Sequence, residues 1–215
     1  MKIFAVVLAG CGSSDGSEIH EAILTMLAIV KSGADYTIFA PDIPQHHVIN
    51  HITGKEMPEN RNVLVESARI ARGDIKPLSS FDGHIVDALI FPGGFGAAKN
   101  LSSFAFDGAD CEVNPEVDSA IRAMAKLGKP IGALCISPVI IAKILGEVEL
   151  TIGDDPGTTM AVEKMGARHR ETSHAEVIID EKHKVFTTPC YMLDASILDI
   201  AQGTENIVKA MMASM

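Results

Sequence analysis

The chain has 215 residues, of which 47% are hydrophobic and 21% charged, which suits one globular domain with a sizeable core and excludes a disordered segment. Lysine and arginine number 18 against 28 acidic residues, a formal charge of −10 that argues against nucleic acid or an anionic membrane as a partner. No apolar run approaches bilayer-spanning length, and the four cysteines (Cys11, Cys111, Cys135, Cys190) form no CxxC pair. Reduced thiols in a cytoplasmic compartment are therefore expected, with a mitochondrial location disfavoured for want of an Arg-rich leader.

Residues 3–9 form a continuous apolar run, as expected of a strand buried on both faces of a parallel sheet. The small and polar residues 10–17 then make a loop, with Ser17 as the expected N-cap of the next helix. Ile19, Ala22, Ile23, Met26, Leu27 and Val30 recur at helical spacing, Ser32-Gly33 stops the helix, and residues 36–40 form a second strand. Strand, helix and strand in so short a span make a βαβ unit.

Residues 41–62 are polar, with three prolines and three histidines, and read as an irregular excursion that either covers a pocket or makes a dimer contact. A helix is predicted over 63–70, a connection over 75–84, and a strong strand over 85–91 that ends in a glycine-rich loop at 92–100. Residues 104–114 read as a second irregular insertion, and 115–127 as an amphipathic helix with Pro115 in its first turn. Beyond residue 135, the expected order is a helix at 139–145, a strand at 149–152, a helix at 154–165, a hairpin of 176–180 with 184–188, and a closing helix over 195–212. This alternation gives an α/β fold with a mostly parallel sheet covered on both faces. In such sheets the active crevice lies beyond the carboxyl ends of the strands. That rule gathers the Cys11 loop, Pro92-Gly93-Gly94, Cys135 and Pro189-Cys190.

The apolar strand Pro130-Ile131-Gly132-Ala133-Leu134 runs straight into Cys135, and an apolar helical run follows. This is the layout of a nucleophile elbow, in which a tight turn lifts one side chain over the edge of the sheet. The first free N–H groups of the following helix point at the same spot and are expected to lower the thiol pKa. The competing reading makes Cys135 a small buried hydrophobe.

Three further stretches narrow the reading: Asp15-Gly16-Ser17-Glu18-Ile19-His20-Glu21, Gly93-Gly94-Phe95-Gly96-Ala97-Ala98-Lys99-Asn100-Leu101, and residues 61–73. Together with the elbow Gly132-Ala133-Leu134-Cys135-Ile136-Ser137-Pro138, they resemble the ThiJ/PfpI superfamily of the class I glutamine amidotransferase-like fold. The likeness is nearest to its ElbB glyoxalase branch and runs almost end to end. It implies a single domain over 1–215, built as a flavodoxin-like three-layer sandwich that forms a homodimer. It also implies a nucleophile at Cys135 and an acidic partner from the first helix, Glu21, with Glu18 one turn earlier on the same face.

The reaction so implied converts glyoxal to glycolate, or methylglyoxal to lactate, without glutathione, metal or organic cofactor. In this scheme Cys135 attacks the aldehyde, and Gly94 and Ile136, beside Gly93, supply the oxyanion and substrate-binding N–H groups. Glu21 moves the proton between the two carbons. The alternative is a non-catalytic redox or stress-response protein in which Cys11 or Cys190 pairs with Cys135 on oxidation. Several relatives carry histidine directly after the nucleophile, where this chain has Ile136. Glutamine hydrolysis would also need a histidine base, for which His169 and His174 are the nearest candidates. His46, His47 and His51 fit no common zinc spacing and read as a solvated loop.

Overall fold

The computed structural model describes residues 1–215. β1 (Ile3–Val7) leads through a glycine-rich loop into α1 (Ile19–Lys31) and β2 (Asp35–Ala40). The excursion that follows holds a small hairpin, β3 (Ile49–Asn50) with β4 (Lys55–Glu56), before α2 (Val63–Ile70), β5 (Lys76–Pro77) and β6 (Ala88–Phe91). The short helices α3 (Phe95–Lys99) and α4 (Phe104–Asp107) come next, then α5 (Pro115–Lys126) and β7 (Ile131–Leu134). α6 (Pro138–Leu145), β8 (Glu149–Leu150), α7 (Pro156–Lys164) and β9 (Arg168–His169) precede the hairpin of β10 (Ile178–Asp180) and β11 (Val185–Thr188), and α8 (Ile197–Ala213) closes the chain.

Seven strands form the central sheet in the order β10-β11-β7-β6-β1-β2-β5, parallel except for the β10–β11 pair. Alternate residues of each strand face opposite sides. Ala5, Val7, Leu89, Phe91, Ile131 and Ala133 pack beneath α5 and α6. Phe4, Val6, Leu8, Ala88 and Ile90 pack beneath α1 and α8. Both faces are thus sealed, as expected from the alternation, and the result is the three-layer, flavodoxin-like sandwich that the family resemblance implies. The chain winds outward from β1 in both directions, so the strand order reverses between β1 and β6. The crevice at such a reversal is where ligands bind in open α/β sheets.

Four local expectations are corrected. Glu18, not Ser17, caps α1, its Oε2 accepting the Glu21 N–H at 2.8 Å. Ser17 is fully buried and its Oγ accepts instead from Ala9 N at 2.8 Å, tying the loop to β1. Residues 75–84 hold an edge strand, β5, too short to show any alternation. The strand expected over 85–91 begins only at Ala88, because the Asp87 carboxylate turns back to accept from Ile3 N at 2.9 Å and from Lys2 Nζ at 3.3 Å. Within 92–100 lies α3, whose glycine content disguised it. Gly96 is there because its Cα is pressed on the Gly16 backbone, where a Cβ would come within 2.6 Å, and its N–H donates to Gly16 O at 2.8 Å. On α1 the apolar positions split into two stripes: Ala22, Met26 and Ile29 are buried, whereas Ile19, Ile23, Leu27 and Val30 are exposed.

Candidate active site

β7 delivers Cys135 to the site in the left-handed region, at φ 58. A side chain tolerates that region only when its surroundings impose it, and such strain gathers at functional turns. Two contacts impose it here. Cys135 N donates to Thr188 O at 3.0 Å, prolonging the β7–β11 ladder by one residue. Ser137 Oγ donates to Pro92 O at 2.8 Å, clamping the elbow to the loop after β6. Pro138 then starts α6 at the position where a missing N–H costs nothing. The N–H groups of Gly94 and Ile136, assigned to oxyanion binding, lie close enough to the Cys135 sulfur to favour its thiolate.

Glu21, on the first turn of α1, is fully buried beside this sulfur. Its Oε2 accepts from Gly93 N at 2.7 Å and its Oε1 from Tyr191 N at 3.2 Å. The Cys135 sulfur lies across Gly93 from this carboxylate, close enough for each group to shift the other's proton affinity. Gly93 lies between the two side chains: a Cβ there would sit 2.6 Å from Glu21 Oε2 and 2.9 Å from Cys135 Sγ. Its N–H is taken by Glu21, so Gly93 orients the acid and has no donor left for a substrate.

Burial pushes the Glu21 carboxyl up to about 7; the nearby charge of Glu18 adds to this, while hydrogen bonds from Tyr191, Gly93 and Cys135 oppose it. Burial also pushes the Cys135 thiol well above its ordinary value, and the Glu21 charge pushes the same way, against the N–H groups of Gly94 and Ile136. The expectation of a thiol acidified by the helix N-terminus is therefore corrected: desolvation and a facing carboxylate outweigh two N–H donors. The resting site is a neutral thiol beside a carboxylate that takes up protons near pH 7. A carboxylate of that affinity suits a general base that receives the thiol proton during attack.

The sulfur opens on a cavity of about 450 Å³. It collects the loop after β1 (Ser13, Ser14), the loop after β6 (Gly94, Phe95), the elbow (Cys135, Ile136) and the segment after β11 (Tyr191, Met192). Glu18 reaches it as well, so the two carboxylates of α1 divide their roles: Glu21 faces the sulfur, and Glu18 caps the helix and lines the wall. Tyr191 was not singled out by sequence reasoning. Its N–H holds Glu21, its ring lines the cavity, and its hydroxyl meets His20 Nδ1 at 2.8 Å. No sequence signal marks it beyond its place just after Cys190. The outer wall comes from Phe104, Ala105, Asp155 and Thr158 and not from residues 41–62.

Other expectations fall away from the site. Cys11 does not line the cavity; burial raises its thiol pKa, and the charges of Glu66 and Asp15 push the same way against those of Arg69 and Arg61. Cys190 is buried, in the left-handed region at φ 43, and burial holds its thiol well above the ordinary value. All four cysteines are free. His169 meets Thr159 Oγ1 and His174 meets the Asp194 carbonyl, and neither lines the cavity. His46 and His47 pack with Phe106, and His51 meets Ser14 N. A second depression, by β8, β9 and β10, is lined by charged residues including Glu149, Arg168, Asp180 and His183 and contains no nucleophile.

No protein-family model matches the chain. Individual proteins do. Glutamine amidotransferase-like class 1 domain-containing protein 3, mitochondrial, of Homo sapiens is 47% identical over 215 residues, covering 95% of this chain and 80% of that protein. The chain belongs to this glutamine amidotransferase-like, ES1 family. The ES1 protein of Danio rerio is 39% identical over 229 residues, covering 97% of the chain and 84% of its own length. Among solved structures, an isoprenoid biosynthesis protein with an amidotransferase-like domain from Ehrlichia chaffeensis superposes with a TM-score of 0.92 at 36% identity, covering 99% of this chain and all of that one. A DJ-1 superfamily protein from Salmonella typhimurium has a TM-score of 0.62 at 18% identity, over 99% of this chain and 91% of its own, and shares the fold. These matches agree with the ThiJ/PfpI resemblance. They overturn one expectation: the human, rat and zebrafish relatives are all named mitochondrial, which points away from the cytoplasm. Scattered reduced cysteines mark a reducing compartment without saying which one.

Proposed function

We propose that this ES1-family chain is a cofactor-free thiol enzyme acting on small dicarbonyls, a glutathione-independent glyoxalase. The observation that carries the reading is the juxtaposition of the Glu21 carboxylate and the Cys135 thiol on either side of Gly93. Cys135 adds to one aldehyde carbon of glyoxal; the S–C bond forms, the carbonyl π pair becomes an alkoxide, and the thiol proton passes to Glu21. The alkoxide takes hydrogen bonds from Gly94 and Ile136 N–H, which lose their sulfur partner as the sulfur bonds to carbon. Glu21 returns the thiol proton to the alkoxide, leaving a neutral hemithioacetal and a free carboxylate. The carboxylate then takes the proton from the attacked carbon and delivers it to the neighbouring carbon through an enediol, so the first carbon is oxidised to a thioester and the second reduced to an alcohol. Water hydrolyses the thioester, releasing glycolate and restoring the thiol.

The redox-sensor alternative is weakened by the same electrostatics, because oxidation proceeds through the thiolate and burial disfavours it at both Cys135 and Cys190. Glutamine hydrolysis is weakened by a cavity that no histidine lines. We propose that the chain forms a homodimer through the exposed stripe of Ile19, Ile23, Leu27 and Val30; a mass in solution of one chain would contradict it. The function is tested by incubating the protein with glyoxal, without glutathione, and assaying glycolate. Sustained turnover that is abolished by Cys135→Ala supports the enzyme, and a single stoichiometric modification that then stops supports the sensor.

A further inference from the structure

The cavity in front of Cys135 is larger than a two-carbon dicarbonyl requires. At about 450 Å³ it falls within the range of roughly 300–1,000 Å³ typical of pockets that enclose drug-sized ligands. Its lining is mainly apolar, with Phe95, Phe104, Ile136 and Met192 among the walls. Two carboxylates face it, Glu18 and Asp155, and no lysine, arginine or histidine does. Asp155 is anionic at neutral pH, because hydrogen bonds from Thr158 hold its carboxyl below the ordinary range. Lys99, the nearby cation, is engaged outside the lining: its Nζ donates to Ser14 O at 2.9 Å and lies 5.3 Å from the centre of the Phe95 ring. The N–H groups of Gly94 and Ile136 act on the sulfur, and at the distant wall the N-terminus of α7 is already capped by Asp155, whose Oδ1 accepts from Thr158 N at 2.7 Å.

We propose that this pocket selects carbonyl compounds that carry an apolar body and no negative charge, and rejects anionic ones such as phosphorylated or carboxylated aldehydes. The physical reason is asymmetry. The reacting carbon needs a positive surrounding for the alkoxide, and the donors at the sulfur supply it. The remainder of the ligand meets hydrocarbon, the neutral hydroxyl residues Ser13, Ser14, Thr158 and Tyr191, and two acids, where an anion would lose hydration and gain no cationic partner. The proposal rests on the thiol-addition reading for what happens at Cys135. The selection itself belongs to the wall and can be measured without turnover.

The test is the rate of Cys135 alkylation, followed by peptide mass, with iodoacetamide, iodoacetate and iodoacetanilide, each divided by its rate with β-mercaptoethanol. Iodoacetamide should be favoured over iodoacetate by roughly tenfold or more beyond the free-thiol ratio. Iodoacetanilide should match or exceed iodoacetamide. Asp155→Asn keeps the N-cap of α7, since asparagine caps as well as aspartate, and should lower the amide-to-acetate preference several-fold. A preference equal to that of the free thiol, or unchanged by Asp155→Asn, overturns the charge selection. A marked rejection of iodoacetanilide overturns the apolar body. If glyoxal is not turned over while these ratios hold, the glyoxalase reading fails and the pocket selection stands.

Discussion

Glu21 and Cys135 face each other across a residue that has no side chain: the Gly93 Cα lies where a methyl group would strike both Glu21 Oε2 and Cys135 Sγ. The acid comes from the first turn of α1 and the thiol from the end of β7, more than a hundred residues later in the chain. Their meeting depends on β1, β6 and β7 lying side by side in the sheet.

Gly93→Ala tests this spacing. The added methyl must displace the acid or the sulfur, at a cost of about 1–3 kcal/mol by the usual measure of overpacking. Thermal unfolding should show that loss, and a folded Gly93→Ala protein should show slower Cys135 alkylation than the parent at pH 7. Unchanged stability and reactivity would mean the contact is slack.

The two carboxylates of α1 should separate cleanly. Glu21→Gln removes the base beside the sulfur and should lower kcat/KM for glyoxal by about a hundredfold or more. Glu18→Gln retains an oxygen to accept from Glu21 N–H and should keep most of the turnover. Glu18→Ala loses the cap and should cost about 1 kcal/mol of stability. Steady-state kinetics on the glutamine pair and denaturant melts on the alanine variant give the three readings.

Glu21 also makes stability depend on pH. Its folded value, about 7, lies above its ordinary 4.5, so the native state holds the proton more tightly than the unfolded chain. The stability it contributes is complete below about pH 4.5 and is lost as pH rises through about 7, some 3 kcal/mol in all. The stability difference between parent and Glu21→Gln should therefore move against the parent across that window. Parallel curves from pH 4.5 to 8 would contradict the buried, raised acid.

Ser137→Ala removes the buried bond from Ser137 Oγ to Pro92 O. An unsatisfied buried carbonyl should cost about 1–3 kcal/mol. Because the same bond sets Gly94 against the elbow, glyoxal turnover should fall as well, mainly in kcat.

Much of this site was legible from residue order alone. The run of apolar residues into Cys135, followed by an apolar helix, marks the elbow, and glycine after β6 marks a close backbone approach. Glu21 stands out through the family resemblance. Other features were hidden for physical reasons. Ser17 has the chemistry of an N-cap, but its hydroxyl is claimed by Ala9 N, a contact across the loop that no local pattern reveals. α3 has two alanines and a glycine in five residues and no periodicity to read. The role of Tyr191 comes through its backbone N–H, which every residue but proline possesses. The direction of the Cys135 shift was missed because a helix start near a thiol can be seen in a sequence, whereas the depth of its burial cannot.

The most direct test of the Glu21–Cys135 pair is the pH dependence of Cys135 alkylation by iodoacetamide, resolved by peptide mass, in the parent and in Glu21→Gln. The pair predicts a rise centred near pH 7 in the parent, as the carboxylate becomes free to take the thiol proton, and a single rise at much higher pH in the variant. Identical profiles for the two proteins would show that Glu21 does not act on the sulfur.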